Sequence, residues 1–468
     1  MISYLQPVLW LPSYILRGFA LLIASWTSKL GNILNPISTL LADEDYDKYP
    51  PKNSLIGTVT VDGDVSLEEF QDLFKRTVLE ATIPTNPILS WKQPHDQTRY
   101  PEFQQYQINF LGFKFWKDDP NFQIENHIVE KVLTNEPSSL QNVHKEMHNK
   151  LFVSKRSPWE VILIKNYRSV EDGLGEHEEQ ALRKTVIVAR FHHSMADAKS
   201  ILKVFVIGLG QRPLCLAKPQ LNINSNILSE LLFYLRFPFV YYLSVISGGL
   251  YKAYQSSFHA WRVNMFGANP RQVIGMSSKL SLHDIKQVAK RNNVTTSAVV
   301  LSLMTGAMCN IDAKFREKWV IAGHIGALVL PTDQITAAKR LQACQKNFAD
   351  LKERRIEKYY EFVHLQAGTL NNPLRKMTMR NIFFPVGVTN IAGESHEFSI
   401  GQNKCSEFTF SLGTLTGCAG VIFTSSSYKD YLRVAVAADE SIMDEIEAQK
   451  LAQSMWNELE MLKSILNQ

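Results

Sequence analysis

The stretch VIVARFHHSMADAKSILKVF, residues 186–205, changes its period in the middle. Over residues 186–191, Val186, Val188 and Arg190 fall on one side of an extended chain. Ile187, Ala189 and Phe191 fall on the other, which predicts a strand. From Asp197 onward Ile201, Leu202, Val204, Phe205 and Leu209 recur at helical intervals, and an acid such as Asp197 is favoured at a helix start. His192 and His193 therefore stand where a strand ends and a helix is about to begin. A strand turning directly into a helix is the repeating unit of an α/β protein.

The same alternation continues outward. SLIGTVTVDG reads as a strand feeding a helix over DVSLEEFQDLFKRTVLEA, with Ser66 as N-cap, Glu69 three residues on, and Val65 stapled to Phe70. One domain length later the device repeats, with Ser281 as cap, Asp284 three on, and Leu280 against Ile285. LQNVHKEMHNKL reads as a helix and PWEVILIKNY as a strand, while the polar excursion EDGLGEHEEQ joins two strands. Further on come a buried helix over SAVVLSLMTGAM and a long amphipathic run from Ile335 to Gln366 with Leu341, Cys344, Phe348 and Leu351 on one face. Strands over EFTFSLGTL, GCAGVIFTSSSY and YLRVAVAAD follow, and a helix from Met443 to Leu466 ends the series.

With 468 residues, two domains of roughly 200 residues each are expected. A hydrophobic share of 45% and a net charge of +5 describe a globular chain too weakly basic to argue for nucleic acid. The five cysteines, Cys215, Cys309, Cys344, Cys405 and Cys418, form no CxxC pair, which argues against a disulfide framework or a zinc knuckle. Two segments are more apolar than the rest. Residues 1–42 carry only Arg17 and Lys29 as charges, with Arg17, Pro7 and Pro12 interrupting a near-span, so an uncleaved membrane anchor or in-plane segment is expected. Residues 231–251, aromatic-rich with Arg236 and Pro238 inside, read equally as an apolar interdomain linker or a membrane contact.

A His-x-x-x-Asp spacing alone more often marks a hydrogen-bonded core histidine than a catalytic one. Position shifts the balance, because an imidazole titrating near neutrality stands at the carboxyl end of a strand, a usual place for α/β sites. A metal held by His192, His193 and Asp197 is disfavoured, since neighbouring residues on an extended chain point opposite ways. His144 and His148 share a helical face with Glu146 off it, and an exposed polar face is expected there. No HExxH, GxSxG, P-loop or GxGxxG occurs, which removes the metalloprotease, serine hydrolase and nucleotide-binding readings.

HHSMADA resembles the HHxxxDG signature of the wax ester synthase/diacylglycerol acyltransferase family, itself similar to the HxxxD of CoA-dependent acyltransferases. SPWEVILI, with Pro158 and Trp159, resembles that family's Pro-Leu-Trp element. KLSLHDIKQVAKRNNVTTSAVVLSLMTGAM resembles the opening of its second domain, and PVGVTNIAGE resembles its Ser-Asn-Val-Pro-Gly element, with Asn390 and Gly393 on matching positions. The order holds from about residue 43 onward. Ala198 replaces the motif's glycine, Ser297 and Ala298 replace an Asn-Asp pair, and Ala392 replaces a proline.

The resemblance implies two chloramphenicol-acetyltransferase-like α/β domains with a crossover and a tunnel between them meeting at the histidine. It gives residues 1–42 as a membrane segment, 43–215 and 266–468 as the two domains, and 216–265 as an apolar linker. His193 becomes the general base of an O-acyltransferase that joins a fatty acyl-CoA, as co-substrate, to a long-chain alcohol or diacylglycerol, with no cofactor and no metal. Asp197 is implied as a structural acid paired with an arginine. His192, Asn390 and Trp159 fall on the substrate side, His192 facing away from His193 and open to a structural role. Membrane is the implied partner, at the endoplasmic reticulum or the plasma membrane. The replaced Asn-Asp pair keeps open a lipid-binding protein without turnover, and the acceptor could instead be an amine or a small alcohol.

Overall fold

In the computed structural model of this chain the described residues are 2–27, 30–82, 98–132, 139–167, 184–211, 213, 232, 235–236, 261, 271–311, 320–323, 327–353, 364–378, 386–415 and 419–465. The first half runs through helices α1 (Ile2–Trp26) and α2 (Pro36–Leu41), strand β1 (Ser54–Asp62) and helix α3 (Leu67–Phe74). Strands β2 (Gln105–Phe110), β3 (Phe113–Asp118) and β4 (Ile128–Val132), helix α4 (Leu140–Asn149), strands β5 (Trp159–Tyr167) and β6 (Lys184–His192) and helix α5 (Ala198–Lys203) follow. The second half contributes β7 (Gln272–Met276), β8 (Leu280–Ser281), β9 (Val320–Gly323), β10 (Ala327–Leu330), β11 (Val386–Ile391), β12 (Ser399–Ile400), β13 (Asn403–Leu412), β14 (Val421–Tyr428) and β15 (Tyr431–Asp439). Helices Leu282–Arg291, Thr296–Ile311, Ala337–Glu353, Asn372–Thr378 and Glu445–Ile465 surround them.

The strands form two large sheets. The first has the order β12-β13-β1-β6-β5-β4 and the second β10-β9-β11-β14-β15-β7. The crossover is visible in the first: β13 belongs to the second half in sequence but pairs with β1, from Leu55 opposite Leu412 to Thr60 opposite Glu407. β13 also turns backbone donors to the second sheet, Phe410 N to Ser426 Oγ at 3.3 Å and Leu412 N to Thr424 Oγ1 at 3.2 Å. One strand thus serves both sheets and joins the halves.

The alternation expected over residues 186–191 decides which core each side chain enters. Val186 and Val188 join Ile56, Ile162 and Ile164 under α4, where Ile274, Met276, Ala435 and Ala437 of the second sheet complete a shared interior. Ile187, Ala189 and Phe191 enter the core on the opposite face, with Phe70, Phe74, Ile201 and Phe408. A third core lies between the second sheet and the helices of its own half. Both expected caps are present: Ser66 Oγ accepts from Glu69 N, and Ser281 Oγ accepts from Asp284 N at 3.1 Å. Asn293 turns with φ +52° between the capped helix and the buried one.

One expectation changes, and three others are met or reached only in part. The histidine pair on α4 is not a solvated face, because His144 and His148 are both fully buried between α4 and the β1–β13 seam. The run from Ile335 is helical over Ala337–Glu353, starting at Thr336, whose Oγ1 accepts from Lys339 N; residues 354–363 lie outside the described residues. The excursion 171–180 and nearly all of the linker 216–265, including most of 231–251, also lie outside them. Finally, the N-terminal segment folds as a helix with an inverted pattern. Ser13, Ala20 and Ala24 face inward, the alanines against Phe113 and Phe115, while Leu11, Tyr14, Ile15, Phe19, Leu22 and Trp26 are exposed. Arg17 turns inward and donates from Nη2 to Leu34 O at 2.8 Å. Among the described residues no single helix is long and apolar enough to cross a membrane.

Candidate active site

The turn after β6 is built by backbone bonds that leave its two imidazoles in opposite environments. His192 N donates to Pro158 O at 2.9 Å, His193 N donates to Asn53 O at 2.7 Å, and Met195 N closes the turn on His192 O at 2.9 Å. Asp197 then caps α5, its Oδ1 accepting from Ser200 N at 2.7 Å. Ala198 is the first helical residue and does not have a positive φ, so replacement of the motif's glycine carries no backbone strain.

His193 is half-buried, and its Nδ1 lies 3.0 Å from the carbonyl oxygen of Ala196. A carbonyl can only accept, so Nδ1 carries the hydrogen and Nε2 keeps its lone pair. Among the described residues Nε2 has no partner. Burial pushes the pKa of this ring below the ordinary histidine value. At neutral pH the ring is therefore an uncharged base of fixed tautomer.

His192 is the reverse case. It is fully buried, with Nδ1 2.6 Å from Ser194 Oγ and Nε2 2.7 Å from Glu44 Oε1. Ser194 Oγ in turn accepts from Gln107 Nε2 at 2.6 Å, so its hydroxyl is free to donate to His192 Nδ1. Both imidazole nitrogens are occupied within the protein, and the expected place of His192 on the substrate side is corrected to a support of the turn. Trp159 is corrected likewise. Its indole stacks on Phe74 at 5.1 Å and on His127 at 4.5 Å between ring centres, and its Nε1 donates to Phe103 O at 2.8 Å, at the core that Phe191 enters. Asp197 makes no ion pair with an arginine among the described residues; its carboxylate serves the helix start.

Asn390 stands exposed on β11, its Oδ1 accepting from Ser425 Oγ at 2.9 Å. The next residue, Ile391, borders the same apolar cluster as Met195, Ala196 and Ala198 of the turn. Gly393 follows where a Cβ would lie 1.7 Å from Ser427 O, so only glycine fits beside β14. Of the two altered positions in the helix Thr296–Ile311, Ala298 is fully buried and Ser297 is half-buried. A cavity of about 560 Å³ in the second half, lined by Cys309, Thr332, Arg340 and Glu458 among others, does not include the histidine turn. No group of three or more His, Cys, Asp or Glu among the described residues is placed to hold a metal ion.

Glu44 escaped the sequence reading altogether, since the run ADEDYDKYPP reads as a polar transition. Its pairing with His192 spans 148 positions, and no local pattern announces a contact of that range.

The two-sheet architecture is similar to that of solved acyltransferase and condensation-domain structures. The structure is similar to the wax ester synthase/diacylglycerol acyltransferase from Marinobacter aquaeolei VT8, with a TM-score of 0.60 at 17% identity over 93% of this chain and 100% of that one. It is similar also to a trichothecene 15-O-acetyltransferase from Fusarium sporotrichioides, with a TM-score of 0.56 at 11% identity over 92% and 94% of the two chains. The first condensation domain of a calcium-dependent antibiotic synthetase gives a TM-score of 0.54 at 8% identity over 93% and 97%. Residues 324–463 match the family model described as the WS/DGAT C-terminal domain. A Mycobacterium tuberculosis protein whose curated name proposes a diacylglycerol O-acyltransferase is 24% identical over 196 residues, 36% of this chain. The chain spans 42% of the length of that relative. The resemblance to the wax ester synthase/diacylglycerol acyltransferase family is thus supported by the match of residues 324–463 to its C-terminal domain model and by the similarity in fold to one of its solved structures.

Proposed function

We propose that the protein is an acyl-CoA-dependent O-acyltransferase that esterifies a long-chain alcohol or diacylglycerol, with His193 as general base. The observation that carries this reading is the His193 ring, its Nδ1 hydrogen committed to Ala196 O and its Nε2 lone pair uncommitted among the described residues. In the reaction Nε2 accepts the hydroxyl proton of the alcohol as its oxygen bonds to the thioester carbonyl carbon. The tetrahedral intermediate then expels the thiolate, the C–S bond breaks, and the proton on Nε2 passes to sulfur. Ester and free CoA thiol are the products, and no acyl-enzyme is formed. Burial that disfavours the imidazolium supports both the base at the start and the return of the proton. Asn390, exposed near the same cluster, suits a polar contact with substrate.

The exposed apolar face of α1 supports work at a membrane, where both lipid substrates dissolve. Its inward face is spent on Ser13, Ala20 and Ala24, so Leu11, Ile15, Phe19 and Leu22 are left to meet lipid in the plane of the bilayer. The endoplasmic reticulum fits these substrates, with the plasma membrane second. Replacing Ile15, Phe19 and Leu22 by aspartate should release the protein from vesicles; unchanged sedimentation with vesicles would remove this part of the reading.

The function is tested by following ester formation from labelled acyl-CoA with alcohols of graded chain length and with diacylglycerol. Turnover should be lost in His193→Ala, and in the wild type it should hold through pH ~6.5, the ordinary histidine value, and decline only at lower pH, because burial lowers the pKa of the ring. A protein that retains neutral lipid yet forms no ester with any acceptor would be a lipid-binding protein on this fold.

A further inference from the structure

The chain between α1 and β1 runs as a strap beneath the catalytic turn. Leu34 and Ala42 are fully buried, clustered with Trp116 and packed by Met195 of the turn. Pro36 passes so close to the helical stretch 364–369 that a Cβ on Gly368 would lie 2.0 Å from Pro36 O. Two adjacent acids then engage opposite sides. Asp43 takes the fully buried guanidinium of Arg375 through both Nε and Nη2, the latter at 2.7 Å. Glu44 turns to the site: Oε1 accepts from His192 Nε2 at 2.7 Å and from Asn53 N at 2.9 Å, and Oε2 accepts from Lys52 N at 2.9 Å. Asn53 donates from Nδ2 to Leu41 O at 2.8 Å and offers its carbonyl to His193 N at 2.7 Å.

We infer that Glu44 is a positioning residue for acyl transfer, one carboxylate fixing the His192 ring directly and the His193 peptide through Asn53. The inference rests on His193 being the base. Three donors converge on one carboxylate, and only a group that accepts at both oxygens satisfies them. A glutamine would turn its amide NH2 toward Lys52 N–H or toward the other two donors, so the shape survives and the bonding does not. Loss of one anchor loosens the turn that aims Nε2, and small misplacements of a reacting group are costly in rate.

The experiment compares wild type, Glu44→Gln, Glu44→Asp and His193→Ala. In Glu44→Gln, kcat should fall on the order of 10–100-fold with the acyl-CoA KM changed little, and Glu44→Asp should recover part of it because it keeps both acceptors. A second readout needs no turnover. Diethyl pyrocarbonate should modify His193 and spare His192 in the wild type, and His192 should become reactive in Glu44→Gln, as read by peptide mass. An unchanged kcat together with an unchanged modification pattern in Glu44→Gln overturns the inference while leaving the His193 reading intact. If His193→Ala keeps full turnover, the functional reading fails instead, and the modification pattern alone decides whether Glu44 holds the turn.

Discussion

Two pairs of histidines in this protein meet burial in different ways. His144 and His148, on α4, are closed into an unbroken chain of hydrogen bonds. Thr58 Oγ1 lies 3.1 Å from His144 Nε2, and Ser411 Oγ lies 2.5 Å from His144 Nδ1. Ser411 Oγ also lies 2.6 Å from His148 Nε2, and Ser54 Oγ lies 2.6 Å from His148 Nδ1. All four nitrogens are used, and both rings are neutral. Burial brings the pKa of His144 down to about 3 and that of His148 well below the usual value. In the other pair, His192 is consumed in the same manner, but His193 keeps one nitrogen without a partner among the described residues. What separates a structural imidazole from a chemical one here is a single missing partner, since burial and neutrality are common to both.

The largest test of that contrast is loss of the uncommitted nitrogen. His193→Ala should lower ester formation by about 10²–10⁴-fold with the thermal midpoint nearly kept, because the half-buried ring has one side-chain hydrogen bond to lose among the described residues. His148→Ala should do the opposite. Specific activity of the folded fraction should persist, while stability falls by about 2–4 kcal/mol, since Ser54 and Ser411 lose their ring partner in a closed interior. Denaturant titration measures it, and a drop in turnover without a drop in stability would erase the distinction drawn here.

The same pair predicts a pH dependence of folding. The unfolded chain binds protons at His144 and His148 near pH 6.5, whereas the folded protein takes one at His144 only near pH 3. Stability is therefore undiminished by these groups above about 6.5 and falls as pH drops below it, by about 1.4 kcal/mol per pH unit for each proton. Replacing both residues by asparagine should flatten that slope in urea titrations between pH 6.5 and 4. The smallest expected effect is at Ala198. Because it opens α5 in a helical conformation, Ala198→Gly should cost about 0.5–1 kcal/mol and leave turnover unchanged. A gain in stability would mean that this position favours the family's glycine after all.

Local signals account for what could be read early. The period change at residues 186–205 set β6, the turn and α5 in order. The hydroxyl caps at Ser66 and Ser281 started their helices, since a serine oxygen meets an amide only three positions away. His193 was visible as a candidate because its position between strand and helix is itself local. Trp159 and His192 show a related limit, His192 taking the structural role left open for it and Trp159 lying in the core: a motif marks that a residue matters, and packing decides whether it touches substrate or props up the residue that does. On α4 the helical spacing of His144 and His148 was correct, yet spacing defines a face without saying what covers it.

Periodicity, caps and motif order were thus enough to specify an α/β chain in two halves with one imidazole of interest, because each depends on residues within a few positions of one another. Which nitrogen of that imidazole stays open, which acid anchors its neighbour, and why a histidine helix lies buried were decided only when β13 crossed into the first sheet and the strap passed beneath the turn. Those contacts join residues more than a hundred positions apart, where hydrogen-bond partners are chosen by packing geometry and no sequence interval encodes them.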